Sequence, residues 1–177
     1  VSGASGVNTY EIAQQLFGSA AQLPRQANPV LGDVADSVTF GENLVNTAPQ
    51  VIDAAIALDD ADSANFGGGR VDLSYAQGGD ATDQLGVRNQ GNGAGQIGVS
   101  GSTVSYGGVA IGTIDATYNG SNGAALRINL NSSATQAAVQ ALGRVLSYSN
   151  SSDAPSTSAR TVTFTMNDGG NTGTGGA

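Results

Sequence analysis

Histidine, cysteine and lysine do not occur in this chain, and neither does tryptophan. Each absence closes a class of chemistry. Without Cys there is no disulfide, no thiolate nucleophile and no zinc–thiolate site. Without His there is no imidazole base, no Ser–His couple and no imidazole metal ligand. Without Lys there is no Schiff base and no phosphate-gripping P-loop lysine. Positive charge is scarce altogether: six arginines face fourteen acids, a net charge of −8. Nucleic acid needs a basic stripe to neutralise phosphates, and an anionic membrane surface asks for the same, so neither is an expected partner. No apolar run approaches the ~18 residues that span a bilayer, so no membrane insertion is expected. Hard cations are the partners such a chain tolerates best. Val1 stands where an initiating Met would, which leads to the expectation of a chain processed or excised from something longer.

What is present is glycine, 27 of 177 residues, with Ser, Thr, Asn and Gln scattered between short apolar sets. This composition suits many strands and turns. Residues 1 to about 30 differ. In "NTYEIAQQLFGSAAQL", Ile12, Leu16, Ala20 and Leu23 recur at helical spacing. Asn8 or Thr9 is placed to cap that helix and Pro24 to stop it, and "RQANPVLGD" reads as a linker. From about residue 31 the period becomes two: Val38 and Phe40; Ile52, Ala54, Ile56 and Leu58; Val71, Leu73 and Tyr75; Leu85 and Val87; Val109 and Ile111; Leu126, Ile128 and Leu130; Val162, Phe164 and Met166. Each set puts one apolar face inward, as in antiparallel sheets packed face to face, and Phe164 is expected in the core. Glycine-rich turn signals punctuate the sets. The exception is "NSSATQAAVQALGRVLSY", which predicts a short helix over 134–143 capped by Ser132 or Ser133. Val139 and Leu142 should face the sandwich and Gln136 and Gln140 the solvent, with a strand following at 145–149.

Candidate motifs are few. "GAGQIG" matches G-x-G-x-x-G through Gly93, Gly95 and Gly98, but a β-like continuation follows where a dinucleotide site needs a helix. A hairpin loop is the expectation there. Asn119, Asn131 and Asn150 head N-x-Ser sequons of a kind common by chance in so Asn- and Ser-rich a chain. Paired carboxylates can hydrolyse glycosides without His, Cys or Lys, but such clefts are usually floored by aromatics, and Trp is missing. No catalytic residue is expected.

That leaves "LDDADSANFGGGRVDL", residues 58–73. Asp60 and Asp62, two apart in an extended loop, can point the same way and share one Ca²⁺, an ion that takes six to eight oxygens. The run is not an EF-hand, because the twelfth position from Asp60 is Val71 rather than Glu. Nor do "GGGRVD" and "GGDATD" fit the G-G-x-G-x-D repeat. On the residues alone two readings stand side by side, a calcium loop and a solvated acidic turn with Asx capping.

The order of "PVLGDVADSVTFGEN", "DADSANFGGG", "ATQAAVQALGRVLSYSN" and "RTVTFTMNDG", spread over residues 29 to 170, resembles the bacterial cadherin-like repeats of large secreted RTX-type adhesins, themselves similar to chondroitin sulfate proteoglycan repeats. With the strand pattern, the resemblance implies an all-β fold, an antiparallel Greek-key β-sandwich of cadherin/Ig-like type with one short crossing helix. The first 28 residues lie outside it, and the local patterns above add a partly helical N-terminal extension and linker (1–30) before the sandwich (31–170) and a Gly-rich linker (171–177) after it. The resemblance also implies a secreted module at a bacterial surface, joined to neighbouring domains of the same or identical chains and stiffened by Ca²⁺ near the joints. By position it would assign Glu42 and Asp168 to the lower joint and Asp60 and Asp62 to the upper one. The tail "NDGGNTGTGGA" departs from cadherins in lacking a dense acidic linker. The leading expectation is thus a non-enzymatic module that spaces or presents binding domains. The alternative is a subunit of a self-assembling filament or surface layer that joins neighbours through residues 1–28. A carbohydrate-binding module comes third.

Overall fold

The computed structural model describes residues 29–35 and 37–170. The helix expected around Ile12–Leu23 and the linker at 171–177 lie outside the described residues. Eleven strands and two helices follow in chain order: β1 (Val30–Gly32), α1 (Glu42–Thr47), β2 (Gln50–Val51), β3 (Ala57–Asp59), β4 (Arg70–Gln77), β5 (Asp83–Val87), β6 (Ile97–Ser100), β7 (Thr103–Tyr106), β8 (Val109–Asn119), β9 (Leu126–Leu130), α2 (Gln136–Gly143), β10 (Leu146–Asn150) and β11 (Thr161–Asn167). A six-stranded sheet runs β11-β4-β9-β8-β7-β6, a three-stranded sheet β2-β10-β5, and β1 pairs with β3. Every pairing is antiparallel. The fold is an all-β sandwich with a short helix.

The period-two pattern builds the large sheet. In register, Leu126, Leu73 and Phe164 form one inward row across β9, β4 and β11, and Ile128, Val71 and Met166 form the next. Arg127, Asp72 and Thr165 form an outward row between them. Burial falls along each row: Leu126 and Leu73 are buried, whereas Phe164 is only partly so. Phe164 therefore sits at the edge of the core rather than inside it, because β11 is the outermost strand and the facing sheet has only three strands.

Helix α2 closes one side with Ala138, Val139 and Leu142 fully buried. Its cap is Thr135, whose side chain accepts from Ala138 N–H at 3.2 Å, not Ser132 or Ser133. Asn131 Oδ1 takes Ser133 N–H (2.8 Å) in an Asx turn, which delays the helix. Gln136 and Gln140 do not simply face solvent but are half-buried. Gln136 Nε2 donates to Leu58 O and Gln140 Oε1 accepts Leu58 N–H, both at 2.9 Å, so the pair clamps α2 to β3.

Two strand expectations fail between residues 34 and 58. Val38 and Phe40 lie in no strand; Val38 is exposed, and Phe40 stacks on Tyr148 with ring centroids 6.5 Å apart. Helix α1 follows instead, burying only Val45. The run Ile52–Leu58 is broken by Asp53, whose Oδ1 takes Ala55 N–H (2.8 Å) and whose Oδ2 takes Ala35 N–H (2.7 Å). A carboxylate that bends its own backbone and pins another segment outweighs local alternation. In the G-x-G-x-x-G match, Gly98 lies in β6, where a Cβ would collide with the side chains of Asn92 and Ser105. The glycine serves hairpin packing.

Candidate functional site

The loop after β3 begins at Asp60. Its Oδ1 accepts the N–H groups of Asp62 (3.2 Å) and Ser63 (3.0 Å), an Asx turn that fixes the carboxylate. Its Oδ2 is buried and has no hydrogen-bond partner among the described residues, and the residue is only 7% exposed. Six residues on, Phe66 is fully buried and its N–H bonds Ala134 O (2.8 Å), which anchors the loop to the segment leading into α2.

The three glycines then have a packing reason. Gly68 is left-handed at φ +82°, and a Cβ on Gly69 would strike the backbone of Asn167, Asp168 and Gly169. This contact is what carries the end of β11 onto the loop. Asp168 is 2% exposed there; its Oδ2 accepts from Ser63 Oγ at 3.4 Å and its Oδ1 from Gly170 N–H at 2.9 Å. Asp60, Asp62 and Asp168 thus share one end of the sandwich.

Glu42 is not with them. It is exposed in the first turn of α1, and α1 is tied by Asn46 Nδ2 to Ser152 O (2.7 Å), just past β10. That is the end where β11 starts, whereas Asp168 follows the end where it stops. The expected pairing of Glu42 with Asp168 is therefore corrected: β11 separates them by its length. Among the described residues no three Asp or Glu residues are arranged as a ready metal cage.

No known protein family, curated protein or solved structure matches this chain. The chemistry of its sites has to be read from its own atoms.

The opposite end holds a second cluster, centred on Asp83. Asp83 is 0% exposed. Its Oδ1 accepts from Tyr148 OH (2.6 Å) and Asn150 Nδ2 (2.8 Å), and its Oδ2 from Asp80 N–H (2.9 Å) and Arg160 Nε (3.1 Å). Arg160 Nη2 lies 3.1 Å from Asp83 Oδ1 and 3.4 Å from Asp80 Oδ2, while Nη1 donates to the carbonyls of Ser156 and Ser158. Burial pushes the Asp83 carboxyl up, but the hydrogen bonds from Arg160, Tyr148, Asp80 N–H and Asn150 outweigh it and hold the group below the usual carboxylate range. Burial first, then the Asp83 charge, pushes the nearby Tyr75 phenol far above its ordinary value. Asp83 has no lone pair left for an ion or a substrate. Its role is to tie β5, β10 and the start of β11 together.

Two remaining candidates resolve simply. Asn150 is buried and donates to Asp83, so that sequon offers no accessible amide, and Asn131 Nδ2 bonds Ala110 O at 3.0 Å. No helix among the described residues is long and apolar enough to cross a membrane.

Proposed function

We propose that this chain is a non-enzymatic extracellular module that spaces or presents binding domains on a bacterial surface, with cadherin-like Greek-key connectivity, and that a divalent cation, Ca²⁺, stiffens it at the Asp60 end. The observation that carries the reading is Asp60 Oδ2, a buried carboxylate oxygen with no donor among the described residues. Such an atom is costly unless a cation or water meets it. The donor set fits a hard ion in kind, since Asp60, Asp62 and Asp168 offer only oxygen. It does not fill a coordination shell of six to eight, so the remaining oxygens come from a neighbouring domain and from water. The absence of His, Cys and Lys from the whole sequence supports a role without catalysis.

The test is thermal. Extracellular modules hold Ca²⁺ with dissociation constants of about 10⁻⁴–10⁻³ M. At ten times that concentration, native-state binding adds about 1.4 kcal/mol, or roughly 3–6 °C in a domain of this size. Calcium should raise the melting temperature of the wild type, and Asp60→Ala with Asp62→Ala should abolish the gain. Identical melting of both proteins in calcium and in chelator would reduce the loop to an acidic turn.

The self-assembling subunit is kept as a second reading on one observation. Strand β11 is an outermost strand without a charged residue, and a slot of about 170 Å³ beside it is lined by Val34, Val162 and Phe164. Uncharged edges of this kind pair with added strands. Light scattering on the full chain and on a chain lacking residues 1–28 separates the two, and a monomer in both cases removes the assembly reading.

A further inference from the structure

A groove of about 440 Å³ lies between α2 and the loop preceding β6, lined among others by Gln90, Tyr106, Ala137, Gln140, Ala141 and Arg144. In a chain of net charge −8, no acidic residue lines it. Arg70, Arg127 and Arg160 are each ion-paired with Asp72, Asp80 or Asp83. Arg144 and Arg88, the other two described arginines, have no carboxylate partner among the described residues. Arg144 lines this groove; Arg88 is not among its lining residues but stands beside it in the fold, its backbone N–H bonding the carbonyl of the lining residue Val145 at 2.8 Å.

The hydrogen-bond capacity left over is one-sided. Arg144 Nε donates to Ile56 O at 2.7 Å, which fixes the side chain and leaves its two terminal nitrogens as donors. Gln140 Oε1 is occupied by Leu58 N–H (2.9 Å) and Gln90 Oε1 by Ile97 N–H (3.0 Å). Each amide therefore turns its NH₂ to other partners. The side chains are thus biased towards donating, since each Gln oxygen already holds one N–H and the Tyr106 hydroxyl can act either way. Alanines and the Tyr106 ring supply the apolar part of the wall.

We propose that this groove binds an acidic saccharide, its carboxylate or sulfate on the Arg144 guanidinium and its hydroxyl and ring oxygens on the amides of Gln90 and Gln140. A planar guanidinium matches either anion through two parallel hydrogen bonds. The volume is that of a small-molecule pocket, and the mixture of neutral amides with an apolar strip suits a sugar ring better than a run of peptide carboxylates. The proposal goes beyond the spacer role by giving the module a ligand of its own. It is independent of calcium at the Asp60 end.

The experiment is a titration of the ¹⁵N-labelled full chain with sodium glucuronate, glucose 6-sulfate, methyl glucoside and N-acetyl-aspartate amide, run in calcium and again in chelator. At least one acidic sugar should shift the side-chain signals of Gln90, Gln140 and Arg144 at millimolar concentration in both buffers. Arg144→Gln should weaken it at least about tenfold, the scale of a lost hydrogen bond to a charged group. Arg88→Gln, at an exposed side chain outside the fold's ion pairs, should weaken it less, by about threefold through charge alone, and keeps the test open if Arg144→Gln perturbs the fold. Equal binding of methyl glucoside, equal binding of N-acetyl-aspartate amide, or no shift in the groove at about 50 mM of either acidic sugar would each overturn the proposal.

Discussion

The two ends of the sandwich handle buried acid in opposite ways. At one, Asp83 is surrounded by donors from Tyr148, Asn150, Asp80 and Arg160. At the other, Asp60 has one oxygen fixed by two backbone N–H groups and one oxygen with no protein partner, close to a loop that also touches Asp168. Both carboxylates pay desolvation, but among the described residues Asp83 is compensated on both oxygens and Asp60 on one. A satisfied buried carboxylate holds elements together. One left short of donors is where something from outside is wanted.

The largest expected effect lies at the satisfied end. Arg160→Met removes the only cation against Asp83 among the described residues and should cost about 3–5 kcal/mol in denaturant titration, the range for stranding one partner of a buried pair. A loss below about 1 kcal/mol would mean that the pair behaves as a surface bridge and that the contrast between the ends is false.

Acid should separate the ends next. The Asp83 carboxyl is depressed in the folded state, so its contribution is fully present above the unfolded carboxylate value of about 4 and is lost as pH falls through the folded value. Wild-type stability should therefore decline below about pH 4, and Asp83→Asn, already lacking that contribution, should decline less steeply. Parallel curves for the two proteins would place the acid sensitivity elsewhere.

Between the ends, the core should show its own gradient. Leu126→Ala should cost about 2–5 kcal/mol, and Phe164→Ala less, despite the larger side chain, because the ring is only partly covered. Equal or reversed costs would put the centre of the core nearer to β11.

The smallest effect should change sign with conditions. Asp60→Asn neutralises a buried carboxylate one of whose oxygens lacks a donor among the described residues, so in chelator it should melt at or above the wild type. In millimolar calcium it should melt below it. A variant less stable in both would make Asp60 a purely structural cap.

What was legible in the sequence follows from the range of the interactions involved. Strands β4, β9 and β11 could be read because alternation is local and each has one covered face. Helix α2 could be read from Val139 and Leu142, though its cap moved to Thr135 once Asn131 formed its own turn. The segment from 34 to 58 could not, because Asp53 bends its own backbone at Ala55 and pins Ala35, 18 residues away. The Asp83 cluster was hidden for the same reason, since Arg160 is 77 residues distant. Its faint signal was an arginine just before an alternating strand in a chain with few arginines. At the candidate site, Asp60 and Asp62 stood out as neighbours, but Asp168 reaches them only through the close backbone contact at Gly69. Spacing along the chain gave no hint of that contact, and Glu42 was assigned to the wrong company.

The central claim is that one end of the molecule, and not two, takes the cation. The most direct measurement is calorimetric titration of calcium into the wild type, Asp168→Asn and Glu42→Gln under the same conditions. The account predicts a markedly weakened isotherm for Asp168→Asn and an unchanged one for Glu42→Gln. A wild-type isotherm retained by Asp168→Asn, or lost by Glu42→Gln, would contradict it.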